Sequence, residues 1–210
     1  MKARKIVLAM VLVFPAMASA HQAGDFFIRG GAALVRPTGN SDNVLGLGSF
    51  NVSNNTQLGL TFTYMATDHI GVELLAATPF RHKVGLRSTG NIATVHQLPP
   101  TLMAQYYFLD SSEKFQPYVG AGINYTTFFD NKFNNTGRQA GLSDLRLKDS
   151  WGYAAQAGMD YQLNDHWMLN ASVWYMDIKT KVRFKAAGES HSIDTKINPV
   201  VFFLGAGYRF

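Results

Sequence analysis

The chain has 210 residues, 47% of them hydrophobic, and no cysteine, which removes disulfide frameworks, thiolate metal sites and cysteine nucleophiles from consideration. Its formal charge is +5, but the first 20 residues hold three of the 19 Lys and Arg and none of the 14 Asp and Glu, so the remainder carries only +2. That surplus is too small for a nucleic-acid-binding protein, and no nucleic-acid partner is expected.

The amino terminus has a basic head (Lys2, Arg4, Lys5), an apolar run from Ile6 to Phe14, and Ala18-Ser19-Ala20 before His21. This is the layout of a secretory signal peptide, with an apolar run too short to cross a bilayer as a helix. Residues 1–20 are therefore expected to be cleaved, leaving residues 21–210 as one domain. No later stretch approaches the length of a membrane helix. An exported chain of this kind can still cross a membrane as a closed barrel, whose backbone groups pair between strands.

The rest of the chain alternates with period two in segments of about ten residues, the length of a tilted transmembrane strand. In the first, residues 25–35, Phe26, Ile28 and Leu34 oppose Phe27, Arg29 and Ala33. Leu58, Leu60, Phe62 and Tyr64 mark the second, Ile70, Val72 and Leu74 the third, and Leu102, Ala104, Tyr106 and Phe108 the fourth. Val119, Ile123 and Tyr125 mark the fifth; Trp151, Tyr153, Met159 and Tyr161 the sixth; Trp167, Leu169, Val173 and Tyr175 the seventh. The eighth, residues 200–210, sets Val200, Phe202, Leu204, Ala206, Tyr208 and Phe210 against Val201, Phe203, Gly205, Gly207 and Arg209. A final strand ending on an aromatic resembles the signal by which outer-membrane assembly machinery recognises its clients, so that machinery is an expected partner.

Connections at residues 67–69, 109–114 and 164–166 are short, whereas those at 36–55, 81–96, 130–149 and 179–198 are long. Short turns on one side and long loops on the other mark a bacterial outer-membrane barrel with its turns in the periplasm. The predicted fold is thus an all-β, eight-stranded, antiparallel up-and-down transmembrane barrel. Outward aromatics gather at strand ends as two interfacial girdles. Phe26, Tyr64, Phe108, Tyr161, Trp167 and Tyr208 fall on the turn side, and Phe80, Trp151, Tyr153 and Tyr175 on the loop side.

Residues 54–80 (NNTQLGLTFTYMATDHIGVELLAATPF), 98–108 (LPPTLMAQYYF), 117–129 (PYVGAGINYTTFF), 142–151 (LSDLRLKDSW) and 174–178 (WYMDI) closely resemble the OmpW family of outer-membrane proteins. The resemblance runs over essentially the whole chain after the leader. It implies an eight-stranded barrel with a narrow, largely apolar lumen, associated with uptake of small hydrophobic molecules. It also implies that a bacteriocin or phage receptor role, without transport, is an alternative.

Read on their own, the inward positions divide by height. Arg29 and Glu73 lie just above the periplasmic starts of their strands, and Asp160 and Arg209 just before the periplasmic ends of theirs. Buried charges persist when paired, so these four are expected to form a polar plug in the lower lumen; a narrow ion-conducting constriction is the competing reading. Above them the inward list turns apolar: Val35, Leu75, Ala77, Met103, Trp174, Met176, Val201 and Phe203. Leu75 and Trp174 are the bulky pair nearest mid-height, the expected constriction. Further out, Ile178, Val182, Phe184, Ile193 and Ile197 face inward. Lys179, Lys181, Arg183 and Lys185 face outward, at the height where they would meet membrane lipid and lipopolysaccharide headgroups.

Proline cannot donate a ladder hydrogen bond. Pro79 near the top of the third strand and Pro99-Pro100 near the top of the fourth therefore predict a lateral opening between neighbouring strands. Leu142, Leu145 and Leu147 in the third long loop suggest a short helix over the mouth. Candidate enzyme groups, His82 with Ser88 and Ser190 with His191 and Asp194, show no spacing that makes a catalytic unit. No metal-ligand or phosphate-loop motif is present, and neither enzymatic activity, a cofactor nor a metal is expected.

Overall fold

The computed structural model of the chain describes residues 20–210 apart from 87 and 88, so the predicted leader lies outside the described residues, save Ala20. Among the described residues fourteen strands and one short helix follow one another. Eight of the strands close into a barrel: β1 (Phe26–Arg36), β3 (Asn55–Met65), β4 (Ile70–Ala77), β7 (Thr101–Tyr107), β8 (Phe115–Phe133), β10 (Ser150–Gln162), β11 (Trp167–Met176) and β14 (Val200–Arg209). Every neighbouring pair is antiparallel and joins strands consecutive around the ring. The ring closes where β14 meets β1, in an unbroken register from Phe27↔Arg209 to Arg36↔Val200.

Alternation along each strand is inside out relative to a soluble protein. In β4, Ile70, Val72 and Leu74 are exposed, while Glu73 and Leu75 between and beyond them are buried. The pattern repeats around the ring, where Trp151 is 72% exposed and Leu204 69%, while Thr61, Thr63, Gln105 and Asn170 are buried. So much contiguous apolar surface is untenable in water and calls for lipid. Aromatic rings band its lower edge, with Phe26 5.8 Å from Phe210, Tyr208 5.1 Å from Phe210 and Trp167 5.1 Å from Tyr208. Tyr125 against Trp151 (4.8 Å) and Tyr153 near Tyr175 (6.1 Å) mark the upper edge.

The long connections are largely strands rather than irregular loops. β5 (Phe80–Leu86) and β6 (Gly90–Leu98) form a hairpin that adds to the upper half of β8, with β2 (Asn51–Val52) at its edge. β9 (Leu142–Leu147), β12 (Lys179–Ala186) and β13 (Glu189–Lys196) make a second, three-stranded sheet. Together they raise the wall well above the upper aromatics and enclose an apolar cluster that includes Val44, Ile92, Phe133, Val182, Phe184 and Ile193.

Two expectations are corrected here. Phe80 is not part of the loop-side girdle: it is buried inside, because the chain breaks at Thr78 and Pro79 and resumes with the opposite facing. Leu142, Leu145 and Leu147 do not form a helix. They lie on β9, and the helix, α1, is the preceding turn Asn135–Gln139, capped by the Asn134 side chain accepting from the Gly137 amide at 3.0 Å.

The closing seam depends on two glycines. Gly31 and Gly205 face each other across β1 and β14, and a Cβ on Gly31 would run into the Leu204 carbonyl, one on Gly205 into the Gly30 carbonyl. Gly31→Val is expected to prevent closure for most molecules, seen as loss of the heat-modifiable folded band on gel electrophoresis after refolding into lipid.

Candidate functional site

The floor of the barrel is built around Arg29, which no water reaches. A guanidinium has five N–H donors, and all five are used. Nε donates to Asp160 Oδ1 (3.0 Å), Nη1 to Thr63 Oγ1 (3.1 Å) and Glu73 Oε2 (2.5 Å), and Nη2 to the Tyr107 hydroxyl (2.7 Å) and Asp160 Oδ2. The same group lies over the rings of Phe27 (4.6 Å) and Tyr118 (5.3 Å), a favourable placement for a desolvated cation. The carboxylates are equally occupied. Glu73 Oε1 accepts from the amides of Gln105 (2.8 Å) and Gln156 (3.0 Å), and Asp160 Oδ1 accepts from Asn170 (2.8 Å).

Arg29, Glu73 and Asp160 are therefore brought together, and Arg209 is not among them. Its guanidinium lies lower, on Asp25 (3.1 Å), the Asp165 carbonyl (2.9 Å) and the Ala20 carbonyl. The four-charge plug is corrected accordingly, because Arg209 sits at the very end of β14, where the chain turns under the barrel. The fourth member is His21. Its Nε2 meets Asp160 Oδ2 at 2.8 Å, and its ring stacks on Phe27 (4.5 Å) and abuts Tyr107 edge-on (4.7 Å). His21 precedes β1, so no strand periodicity pointed to it. Gln105, Gln156 and Asn170 could have been found as polar residues on the inward parity at the height of the charges.

Above the floor the lining is apolar. Val35, Leu75, Met103, Trp174, Met176, Val201 and Phe203 are all buried in one cluster, with Ala77 packed against it. Leu75 and Trp174 both border a cavity of about 10 Å3, close to the least space that holds a single water. The Trp174 indole donates to Ser172 Oγ at 3.1 Å. A larger apolar cavity of about 40 Å3 sits higher, between the two extension sheets, with Phe50, Val84, Ile92, Phe133, Leu147 and Val182 among its walls. Gln97 borders both cavities and bonds His82 Nε2 (3.1 Å), whose Nδ1 meets the Ser53 carbonyl at 2.7 Å.

Pro79, Pro99 and Pro100 flank an interruption in the strand pairing, with the buried Leu75, Phe80 and Gln97 behind it. β4 and β7 pair up to Leu75↔Thr101, and pairing resumes only at Phe80↔Gln97. On the other side the proline segment stays anchored: the Tyr125 amide donates to the Pro100 carbonyl (3.1 Å), and Asn124 reaches the Pro99 and Pro100 carbonyls. Of the outward basic residues, Lys179 pairs with Asp177 (2.9 Å), Lys181 with Asp194 (3.3 Å) and Lys185 with Asp144 (2.8 Å). The hydrogen bond from Lys185 holds the Asp144 carboxyl below the ordinary carboxylate range. Arg183 instead faces Arg146 across the sheet.

Ser190, His191 and Asp194 share no hydrogen bond with one another, and no group of three or more His, Asp or Glu that could hold a metal occurs among the described residues. Ser88 lies outside them.

A closed barrel of eight antiparallel strands, apolar outside and polar at the base within, is an outer-membrane protein. Residues 22–210 match the model of the OmpW family, and the chain belongs to that family of non-enzymatic barrels. It is 64% identical over 204 residues to outer membrane protein W of Escherichia coli, covering 97% of this chain and 96% of that one. The crystal structure of OprG from Pseudomonas aeruginosa superposes with a TM-score of 0.86 at 45% identity, covering 91% of this chain and 98% of that one. The solid-state NMR structure of AlkL in lipid bilayers gives 0.72 at 31% identity, over 96% and 97% of the two chains. The protein is thus one of the bacterial outer membrane.

Removing the cation from the floor leaves two buried carboxylates facing each other. Arg29→Met is expected to lower stability by about 3–5 kcal/mol, measured by urea unfolding in lipid vesicles. A second expectation concerns His82, whose imidazole burial holds below the ordinary histidine value, against the opposing pull of the Ser53 carbonyl. The folded hairpin then binds a proton less readily than the unfolded one, so this contribution to stability is present above about pH 6.5 and is lost as pH falls below it. Amide exchange in β5 and β6, corrected for intrinsic rates, should quicken between pH 7 and pH 5 in the native chain and not in His82→Gln.

Proposed function

We propose that this barrel admits small apolar molecules from the cell exterior and releases them sideways into the outer membrane. The observation that carries the reading is the coincidence of three features at one height. The apolar column ends there, at Leu75 and Trp174. The satisfied charge network of Arg29, Glu73 and Asp160 blocks the straight path below. The break in pairing between Leu75↔Thr101 and Phe80↔Gln97 leaves the wall beside it without ladder hydrogen bonds, and Ala77, Phe80, Gln97 and Pro99 border the cavity from that side.

The lining favours apolar cargo. A water-filled pore is lined by polar groups, and an apolar wall in a narrow passage instead rejects ions by the cost of stripping their hydration. Cavities of about 40 and 10 Å3 are too small for a hydrocarbon of several carbons. Passage therefore requires Trp174 and its neighbours to swing aside, so this conformation is the closed one. Membership of the OmpW family and the likeness to AlkL support a small-molecule outer-membrane channel.

Purified barrel reconstituted in liposomes tests the proposal. Trp174→Ala is expected to speed entry of a fluorescent apolar probe several-fold while ion conductance stays at the lipid background. Joint replacement of Pro99 and Pro100 by Thr, which restores the missing donors, should reduce probe entry at least fivefold with the fold intact. Unchanged entry in the proline variant rules out the lateral route, and ion current in the native chain rules out the plug.

A further inference from the structure

The second extension sheet has two unlike faces. Val182, Phe184 and Ile193 are buried in the mouth, so the residues between them on β12 and β13 look radially outward, away from the passage. On that outward face like charges stand directly opposite one another. Arg146 of β9 is registered with Arg183 of β12. One step below, the Lys148 amide donates to the Lys181 carbonyl (3.2 Å), which places Lys148 level with Lys181.

Like charges placed directly across a ladder destabilise it. Neighbouring acids relieve these only in part: Asp144 feels the charge of Arg146 but forms its ion pair with Lys185. Asp194 serves Lys181 and Asp144 serves Lys185, and among the described residues no carboxylate lies within 4.0 Å of the charged nitrogens of Arg146, Lys148 or Arg183. Ser192 lies opposite Arg183 and Ser190 opposite Lys185, and these hydroxyls share with both arginines, Lys185, His191 and the Lys185-paired Asp144 carboxylate a shallow concavity of about 470 Å3. Two guanidinium forks beside hydroxyl groups are suited to phosphate oxygens, which they bind in a bidentate manner.

The height of the face selects the source of the phosphate. Ser150, next to the girdle residue Trp151, accepts from the Lys179 amide at 3.0 Å, so Lys179 marks the top of the upper aromatic band. At about 3.3 Å per residue, Lys181 and Lys148 lie about 7 Å above that level along the strand, and Arg183 and Arg146 about 13 Å above it. On the cell-exterior side of an outer membrane, these levels correspond to the phosphorylated sugars of lipopolysaccharide. We infer that Arg146 and Arg183, with Lys148 and Lys181 beneath them, form a binding site for lipopolysaccharide phosphates on the outer flank of the barrel. The site is independent of the uptake path and faces away from it.

The test uses the full barrel in nanodiscs of phosphatidylcholine, titrated with bisphosphorylated lipid A, with enzymatically dephosphorylated lipid A, and with inorganic phosphate. The native chain should bind the bisphosphorylated form at least tenfold more tightly than the dephosphorylated one, with affinity falling steeply as salt rises. The double variant Arg146→Gln, Arg183→Gln should lose at least tenfold, whereas Lys132→Gln, whose lysine pairs with Asp130 elsewhere on the rim, should match the native chain. A stability measurement separates binding from a structural role. Without lipid A the double variant should resist urea at least as well as the native chain, since it loses a repulsion, and only the native unfolding midpoint should rise when lipid A is added. Equal binding by the double variant, equal binding of dephosphorylated lipid A, or full displacement by millimolar inorganic phosphate would each overturn the assignment, the last by showing a soluble-anion site.

Discussion

A full positive charge sits where no solvent reaches it, and the architecture of the lower barrel follows from satisfying it. The five donors of Arg29 go to groups on β3, β4, β7 and β10, four strands spread around the ring. Each partner must stand at the same height for the network to close. A slip of one residue in any of these strands would turn its partner outward into lipid and leave a buried charge short of a bond. Alternation already resists a slip of one, and the network adds resistance to slips of two, which keep the facing but break these bonds. Tyr107 and Tyr118 complete the arrangement, Tyr107 accepting from the guanidinium with its hydroxyl and Tyr118 presenting its ring to the cation and its hydroxyl to Asn170.

Above this layer the demands on the interior reverse. Inward side chains from Leu75 upward are mostly apolar, and several of the polar ones have local partners: Thr101 with the Pro99 carbonyl, Asn124 with Thr101, Trp174 with Ser172. The barrel therefore has a charge-networked base and an upper lumen held mainly by packing. Packing contacts are short-ranged and can be exchanged as side chains rotate, whereas the base can open only by leaving charges unpaired. That contrast directs any passing molecule toward the wall.

Much of this architecture was legible in the sequence because period-two alternation survives wherever one face meets lipid. Arg29, Glu73 and Asp160 could be grouped from parity and strand direction. What escaped notice lay where parity fails. The two-residue break at Thr78 and Pro79 resets the facing, so extending the pattern of β4 turned Phe80 the wrong way. On β9 a register shift and the left-handed Asp144 (φ 52°) insert an extra residue, giving Leu142, Leu145 and Leu147 a mixed spacing of three and two that imitates a helix turn. His21 lies outside any strand, and its place in the floor depends on the chain folding back beneath β1. The cross-strand pairing of Arg146 with Arg183 needed the register of β9, which no local pattern supplies.

The burial of the first described residues limits when the bond between them could be cut. Ala20 and His21 are both shut away, Ala20 tied by its carbonyl to Arg209 and by its amide to Ser111, His21 wedged between Phe27 and Tyr107. A peptidase cutting between them would need that bond extended in its own cleft, which the assembled base forbids. Any such processing must come first, on a chain not yet rolled up.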